Sequence, residues 1–207
     1  MNMKKKIFFA LAGVMSLGLA ACSVGTEKPH PGDSIPPASS QTASGPQNKE
    51  RPESVTIISL NASKEETELE VPYDPQRIAI LDMASLDILD ALGVGERVVG
   101  TADTSLEYLQ NYINDDISSL GTIKEADLEA VMACEPDVIF IGGRLASSYD
   151  ALSEIAPVVY LATDTELGVV ESVRRNAMTI ASMFGLEDKV DELMAGFNSR
   201  IAALAEF

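Results

Sequence analysis

The sequence predicts an α/β lobe built on a doubly wound parallel sheet, Rossmann-like and three-layered, followed by a long helix. Three observations carry that prediction. Short apolar runs recur: RIAIL at 77–81, RVVG at 97–100, DVIFI at 137–141 and PVVYL at 157–161. Stretches with apolar residues at helical spacing lie between them, and the joining segments are short. Continuous apolar runs of this length suit strands buried on both faces, and helices between them are the crossovers that parallel strands require.

The folded part opens with a predicted hairpin. Val55–Leu60 and Thr67–Val71 read as strands, the second alternating as ETELEV, and are expected to pair at the sheet edge. Pro72 and Pro75 end that pattern. After the run at 77–81, MASLDILDALGV has helical spacing and a stop at Gly93. Arg97–Gly100 is the next strand, and Ser105–Ile113 is read as a helix. In ADLEAVMACEP, Asp127 is placed to cap a helix and Pro136 lies past its end. Asp137–Ile141 and Pro157–Leu161 are the third and fourth apolar strands, with a short helix in SSYDALSEIA between them. Two helical stretches, Val169–Phe184 and Glu187–Phe207, separated by Gly185, follow.

The N-terminal segment is of another kind. Lys4, Lys5 and Lys6 precede an apolar stretch at 7–19, of signal-peptide length and too short for a comfortable membrane span. Leu19-Ala20-Ala21-Cys22 resembles a bacterial lipobox. The resemblance implies cleavage before Cys22, acylation of its thiol and new amino group, and a lipid anchor on the extracytoplasmic face of the cell membrane. Each buried acyl methylene would contribute about 0.8 kcal/mol to anchoring. An ordinary secretory signal with a chance cysteine and an N-terminal anchor helix are the other readings. Residues 23–53 are rich in Pro, Gly, Ser, Thr and charge, cannot form a packed core, and read as a flexible tether. The expected divisions are therefore a signal peptide at 1–21, lipidated Cys22 with its tether at 22–53, an α/β lobe at 54–185 and the start of a connecting helix at 186–207.

Composition narrows the chemistry. The formal net charge is −17, and removal of the signal peptide, which holds three lysines and no acid, makes it more negative still. That argues against nucleic acid or an anionic membrane surface as partner. The single histidine, His30, lies in the tether. Zinc and haem ligand sets, Ser–His–Asp and Cys–His arrangements are thus missing from the folded part, which also has no P-loop and no G-x-G-x-x-G after a strand. An enzyme is not expected, nor a cofactor. Cys134, without a partner once Cys22 is lipidated, reads as a small buried residue near a helix end.

In doubly wound sheets ligands bind outside the carboxyl ends of the strands. The loops on that face are Asp82–Ser85, Thr101–Ser105, Gly142–Tyr149 and Ala162–Glu166. Arg144 is therefore a candidate ligand-binding residue, and Gly142 and Gly143 allow close approach of backbone or ligand. Arg144 could instead support the helix that follows, or pair with Asp150.

Three stretches together carry a family resemblance: PQRIAILDMASLDILDALGVGERVVGT, LGTIKEADLEAVMACEPDVIFIGGR and YDALSEIAPVVYL. They resemble the substrate-binding lipoproteins of iron–siderophore ABC importers, whose two α/β lobes are joined by one long helix. The GGR-x-x-x-x-Y-D block is similar to the branch for ferric catecholate siderophores, petrobactin among them. The resemblance covers residues 54–207. It implies capture of a ferric siderophore, delivery to a membrane permease, and an ATPase on a separate chain.

It also implies roles for residues. Arg144 matches an arginine that faces the anionic ferric complex. Some relatives carry a lysine where this chain has Ser147, which leaves exact ligand preference open. Tyr149 is placed to stack on a catechol or to serve as core. Met83 and Ser85 line the pocket from the first loop. Glu129 matches an exposed glutamate that docks on the permease, with Glu125 as a rival. No second lobe follows in the sequence, so a truncated product or fragment is expected, with weak or no binding by itself. Relatives for cobalamin, haem or hydroxamate siderophores, and a nonfunctional remnant, are the alternatives.

Overall fold

A computed structural model of the chain describes residues 51–205. The expectations for the signal peptide, Cys22 and the tether up to residue 50 lie outside the described residues. Among those described, no helix is long and apolar enough to cross a membrane.

The main sheet has five parallel strands: β3 (Ile78–Ile80), β4 (Val98–Thr101), β5 (Ser118–Ser119), β8 (Val138–Ile141) and β9 (Val158–Tyr160). Their order is β5-β4-β3-β8-β9. The chain winds outward from the central β3 through β4 to β5, then returns to the other side of β3 for β8 and β9. This is the doubly wound order the apolar runs predict. The Asp137 carboxylate ties the two central strands at their starts, accepting from the backbone N–H groups of Gln76 (2.7 Å) and Arg77 (2.9 Å).

Alternation along the buried strands builds two apolar layers. Ile78, Ile80, Val138, Phe140 and Val159 face one cluster with Leu86, Leu89, Ile180 and Val190. Ala79, Ile139, Ile141, Val158 and Tyr160 face the other, with Val131, Leu145 and Leu152. The first cluster is covered by α1 (Met83–Leu92), α4 (Val169–Ser182) and α5 (Glu187–Ala205). The second is covered by α2 (Leu128–Ala133) and α3 (Tyr149–Ser153). Caps set the short helices. Asp82 starts α1 and Gly93, at φ 75°, ends it, while Asp127 accepts from the Ala130 N–H at 3.0 Å to start α2. The 19-residue α5 packs through Val190 and Met194, whereas Ile201 and Leu204 farther along it are exposed.

The expected hairpin forms from β1 (Ser54–Leu60) and β2 (Glu66–Pro72) beside the edge strand β9, as its own two-stranded sheet and not as part of the main ladder. A side chain stands in for the ladder there: the buried Ser59 Oγ accepts from the Tyr160 N–H at 2.9 Å and lies 3.4 Å from the Tyr160 carbonyl oxygen. The segment 105–113 is a 3₁₀ turn over Glu107–Tyr112 rather than an α-helix. Its buried anchors, Leu109 and Tyr112, are three apart, the period at which 3₁₀ side chains align. Gln110 also spends its side-chain amide on the carbonyls of Thr104 and Leu106. Finally, the GGRLASS segment is a 3₁₀ turn over Gly143–Ser148 that leads into α3, a helix shorter than 147–156. A small ladder, β6 (Gly121–Thr122) with β7 (Glu125–Ala126), precedes α2.

Candidate ligand-binding site

The strand order places β3 and β8 side by side while their outgoing chains turn to opposite sides of the sheet. A crevice opens at such a switch point, beyond the carboxyl ends of the two strands. Asp82 leaves β3 on one side of it, and Gly142, Gly143 and Arg144 leave β8 on the other. Two adjoining hollows occupy the place, of about 410 Å³ and about 180 Å³. Asp82, Ala84, Gly142, Gly143 and Arg144 line both. Ser85, Ile88, Leu161, Ala162, Thr163 and Asn176 complete the larger hollow, and Leu81, Met83 and Ile123 the smaller.

Close packing at the base of the crevice explains one glycine of the pair. A Cβ on Gly142 would fall 2.5 Å from Asp82 Oδ1, so this backbone lies directly against the carboxylate. On Gly143 the nearest atom, the Tyr160 hydroxyl, would be 3.5 Å away, an ordinary contact. Asp82 is held from the other side by α1: its Oδ2 accepts from the Ser85 N–H (2.9 Å) and Ser85 Oγ (2.8 Å).

Arg144 is exposed, and among the described residues it makes neither an ion pair nor a side-chain hydrogen bond. The alternative of pairing with Asp150 is not seen. Other arginines are committed: Arg97 to Asp74 (2.7 Å), Arg174 to Asp191 (3.1 Å), Arg175 to Glu66 (3.1 Å) and Asp164 (3.6 Å). The last two border a larger hollow, about 730 Å³, between β1 and α4. Its arginines already have carboxylate partners, and Lys64 also lines it.

The other expected site residues divide. Met83 and Ser85 line the crevice, although Ser85 is 2% exposed and its hydroxyl donates to Asp82. Ser147 is exposed on the 3₁₀ turn but does not border either hollow. Tyr149 also lies outside them; it is half-buried and packs against the apolar cluster under α3. Glu129 is exposed in the first turn of α2, beside the exposed apolar side chains of Leu128 and Met132, and Glu125 is exposed as well. Cys134 is buried, with Sγ 3.8 Å from the Val99 carbonyl oxygen. No group of His, Cys, Asp and Glu side chains among the described residues is arranged to hold a metal ion. Asp82 and Thr163 were expected on this face only as members of the loops at 82–85 and 162–166, and Asn176 was not expected there. Asp82 had a further signal, an aspartate between a strand and a helical run; Asn176 had none.

Comparison with known proteins places this geometry. The family model described as periplasmic binding protein matches residues 78–206. The chain belongs to the periplasmic binding protein family. Within this family, the petrobactin-binding protein YclQ of Bacillus subtilis is 31% identical over 204 residues, covering 97% of this chain and 57% of its own. Its crystal structure superposes with a TM-score of 0.66 at 35% identity, covering 73% of this chain and 52% of that one. The catecholate-siderophore binding protein VctP of Vibrio cholerae gives a TM-score of 0.63 at 26% identity, covering 72% and 52%. The ferric-anguibactin-binding protein FatB of Vibrio anguillarum is 29% identical over 132 residues, 61% of this chain and 40% of its own. The chain thus spans about half the length of these family members.

Proposed function

We propose that the chain is the ligand-capturing lobe of an extracytoplasmic, lipid-anchored binding protein that takes up a ferric siderophore of the catecholate type. It passes the complex to the permease of an ABC importer driven by a separate ATPase. The observation that carries this reading is Arg144: an exposed guanidinium with no partner among the described residues, at the switch point of a strongly acidic chain. Catecholate oxygens bound to Fe(III) leave the complex net anionic. A guanidinium stays charged and offers several donors in a planar fork, so it replaces water around such oxygens well. Two relatives named for petrobactin and for catecholate siderophores support the ligand class. Met83 and Ser85 line the same crevice, while Ser147 stands on the turn that carries Arg144 and Tyr149 begins the helix after it. Capture and release need no bond to break in the ligand, so no catalytic residue is assigned. Cys22 is the anchor and Glu129 the permease contact.

The test is a fluorescence titration of the full chain in detergent with a ferric bis-catecholate, beside Arg144→Ala. Ferric hydroxamate, cobalamin and haem serve as competitors. Arg144→Ala should weaken bis-catecholate binding by at least about tenfold, as loss of a charge-assisted hydrogen bond predicts. Equal affinities, or stronger binding of a competitor, would overturn the reading.

A further inference from the structure

We propose that Asp82 is a specificity-determining residue of this crevice, selecting ligands that carry a protonated amine beside their anionic iron-chelating oxygens. The proposal rests on the siderophore reading above. Among the described residues, Asp82 and Arg144 are the only charged ones that line the two hollows. They leave adjacent strands and border both hollows, yet do not pair with one another. Asp82 is also locked in place. Its Oδ2 takes both bonds from Ser85, and the Gly142 backbone sits where a Cβ would touch Oδ1. Oδ1 accepts no hydrogen bond among the described residues. The crevice therefore presents a donor on an exposed turn and a fixed acceptor of opposite charge, neither satisfying the other.

A ligand seated there takes water from both groups, and a charged group that loses water without gaining a partner costs binding energy. An entirely anionic chelate would satisfy Arg144 but bring like charge to Asp82. A chelate with a cationic nitrogen near its catecholate oxygens satisfies both with charge-assisted hydrogen bonds. Specificity of this kind combines attraction for one ligand with repulsion of its neighbour.

Two synthetic probes separate these terms: a ferric bis-catecholate with a secondary amine in its linker, and the same compound with a methylene in place of that nitrogen. Both are titrated against the full chain and against Asp82→Asn, which keeps the capping oxygen of α1. The chain should prefer the amine probe by about tenfold or more, the scale of one charge-assisted bond. In Asp82→Asn the preference should fall below about twofold, with binding of the methylene probe strengthened. No preference in the unaltered chain overturns the proposal without needing a folded variant. An undiminished preference in Asp82→Asn overturns it as well. Binding by this lobe is expected to be weak, so both titrations run to the solubility limit of the probes; failure of the unaltered chain to bind either probe there overturns the catecholate reading, and this inference with it.

Discussion

Gly142 is required by packing rather than by backbone conformation, and this makes Gly142→Ala an informative perturbation. Its φ of −108° and ψ of 177° are open to any residue. What excludes a side chain is Asp82: a Cβ would lie 2.5 Å from Oδ1 and 3.2 Å from the carboxyl carbon. Relief requires the carboxylate to retreat by several tenths of an ångström. That motion works against the two bonds that Oδ2 accepts from Ser85, at 2.9 and 2.8 Å. Loss of an aspartate cap costs about 0.5–2 kcal/mol, and residual crowding adds to it. Gly142→Ala should therefore destabilise the chain by about 1.5–5 kcal/mol, the sum of those two effects. Gly143→Ala, whose Cβ meets nothing closer than 3.5 Å, should cost much less.

Urea denaturation of a double-mutant cycle with Asp82→Ala isolates the contact. Asp82→Ala alone removes the cap. Once the carboxylate is gone, Gly142→Ala should add little, giving a coupling of about 1 kcal/mol or more. Costs that add to within about 0.5 kcal/mol would mean that Gly142 and Asp82 do not constrain one another, and would refute the reasoning.

Other predictions follow from single contacts. Ser59→Ala leaves the buried Tyr160 N–H without its acceptor and should cost about 1–3 kcal/mol in urea denaturation; an unchanged midpoint would mean that the hairpin is held by apolar contacts alone. The Asp87 carboxyl is raised from its ordinary value of 3.8 by partial burial and by the Asp90 carboxylate. A raised acid favours the folded state while protonated, and that contribution is lost as pH rises through the folded value. Asp87→Asn should therefore raise Tm at pH 7 and leave it nearly unchanged near pH 3; the opposite order would refute the sign. Glu129→Ala should reduce siderophore uptake in cells while leaving the affinity of the purified chain within about twofold, as for a residue that touches only the transporter; loss of ligand affinity would remove Glu129 from that role.

The four buried strands were legible because a strand covered on both faces must be apolar throughout, as DVIFI and PVVYL are. The end of α1 was equally legible at Gly93, which has a local reason to stop a helix, whereas the Asp82 cap was not read from the sequence. Sequence also singled out Arg144, through its place just past a strand end. Tertiary structure decided the rest. Ser118–Ser119 is a polar, exposed edge strand, and nothing local marks it apart from a loop. Whether Tyr149 faced a ligand or the core depended on how the turn after β8 settles against α3, and it settles with Tyr149 on the apolar cluster. Pairing in space determined the site itself. Asp82 and Arg144 are distant along the chain and meet only because β3 and β8 are hydrogen-bonded neighbours. Helix caps and apolar runs are written in adjacent residues, so the chain alone specifies them. A crevice between two loops is a property of strand order, which follows from the packing of both layers at once.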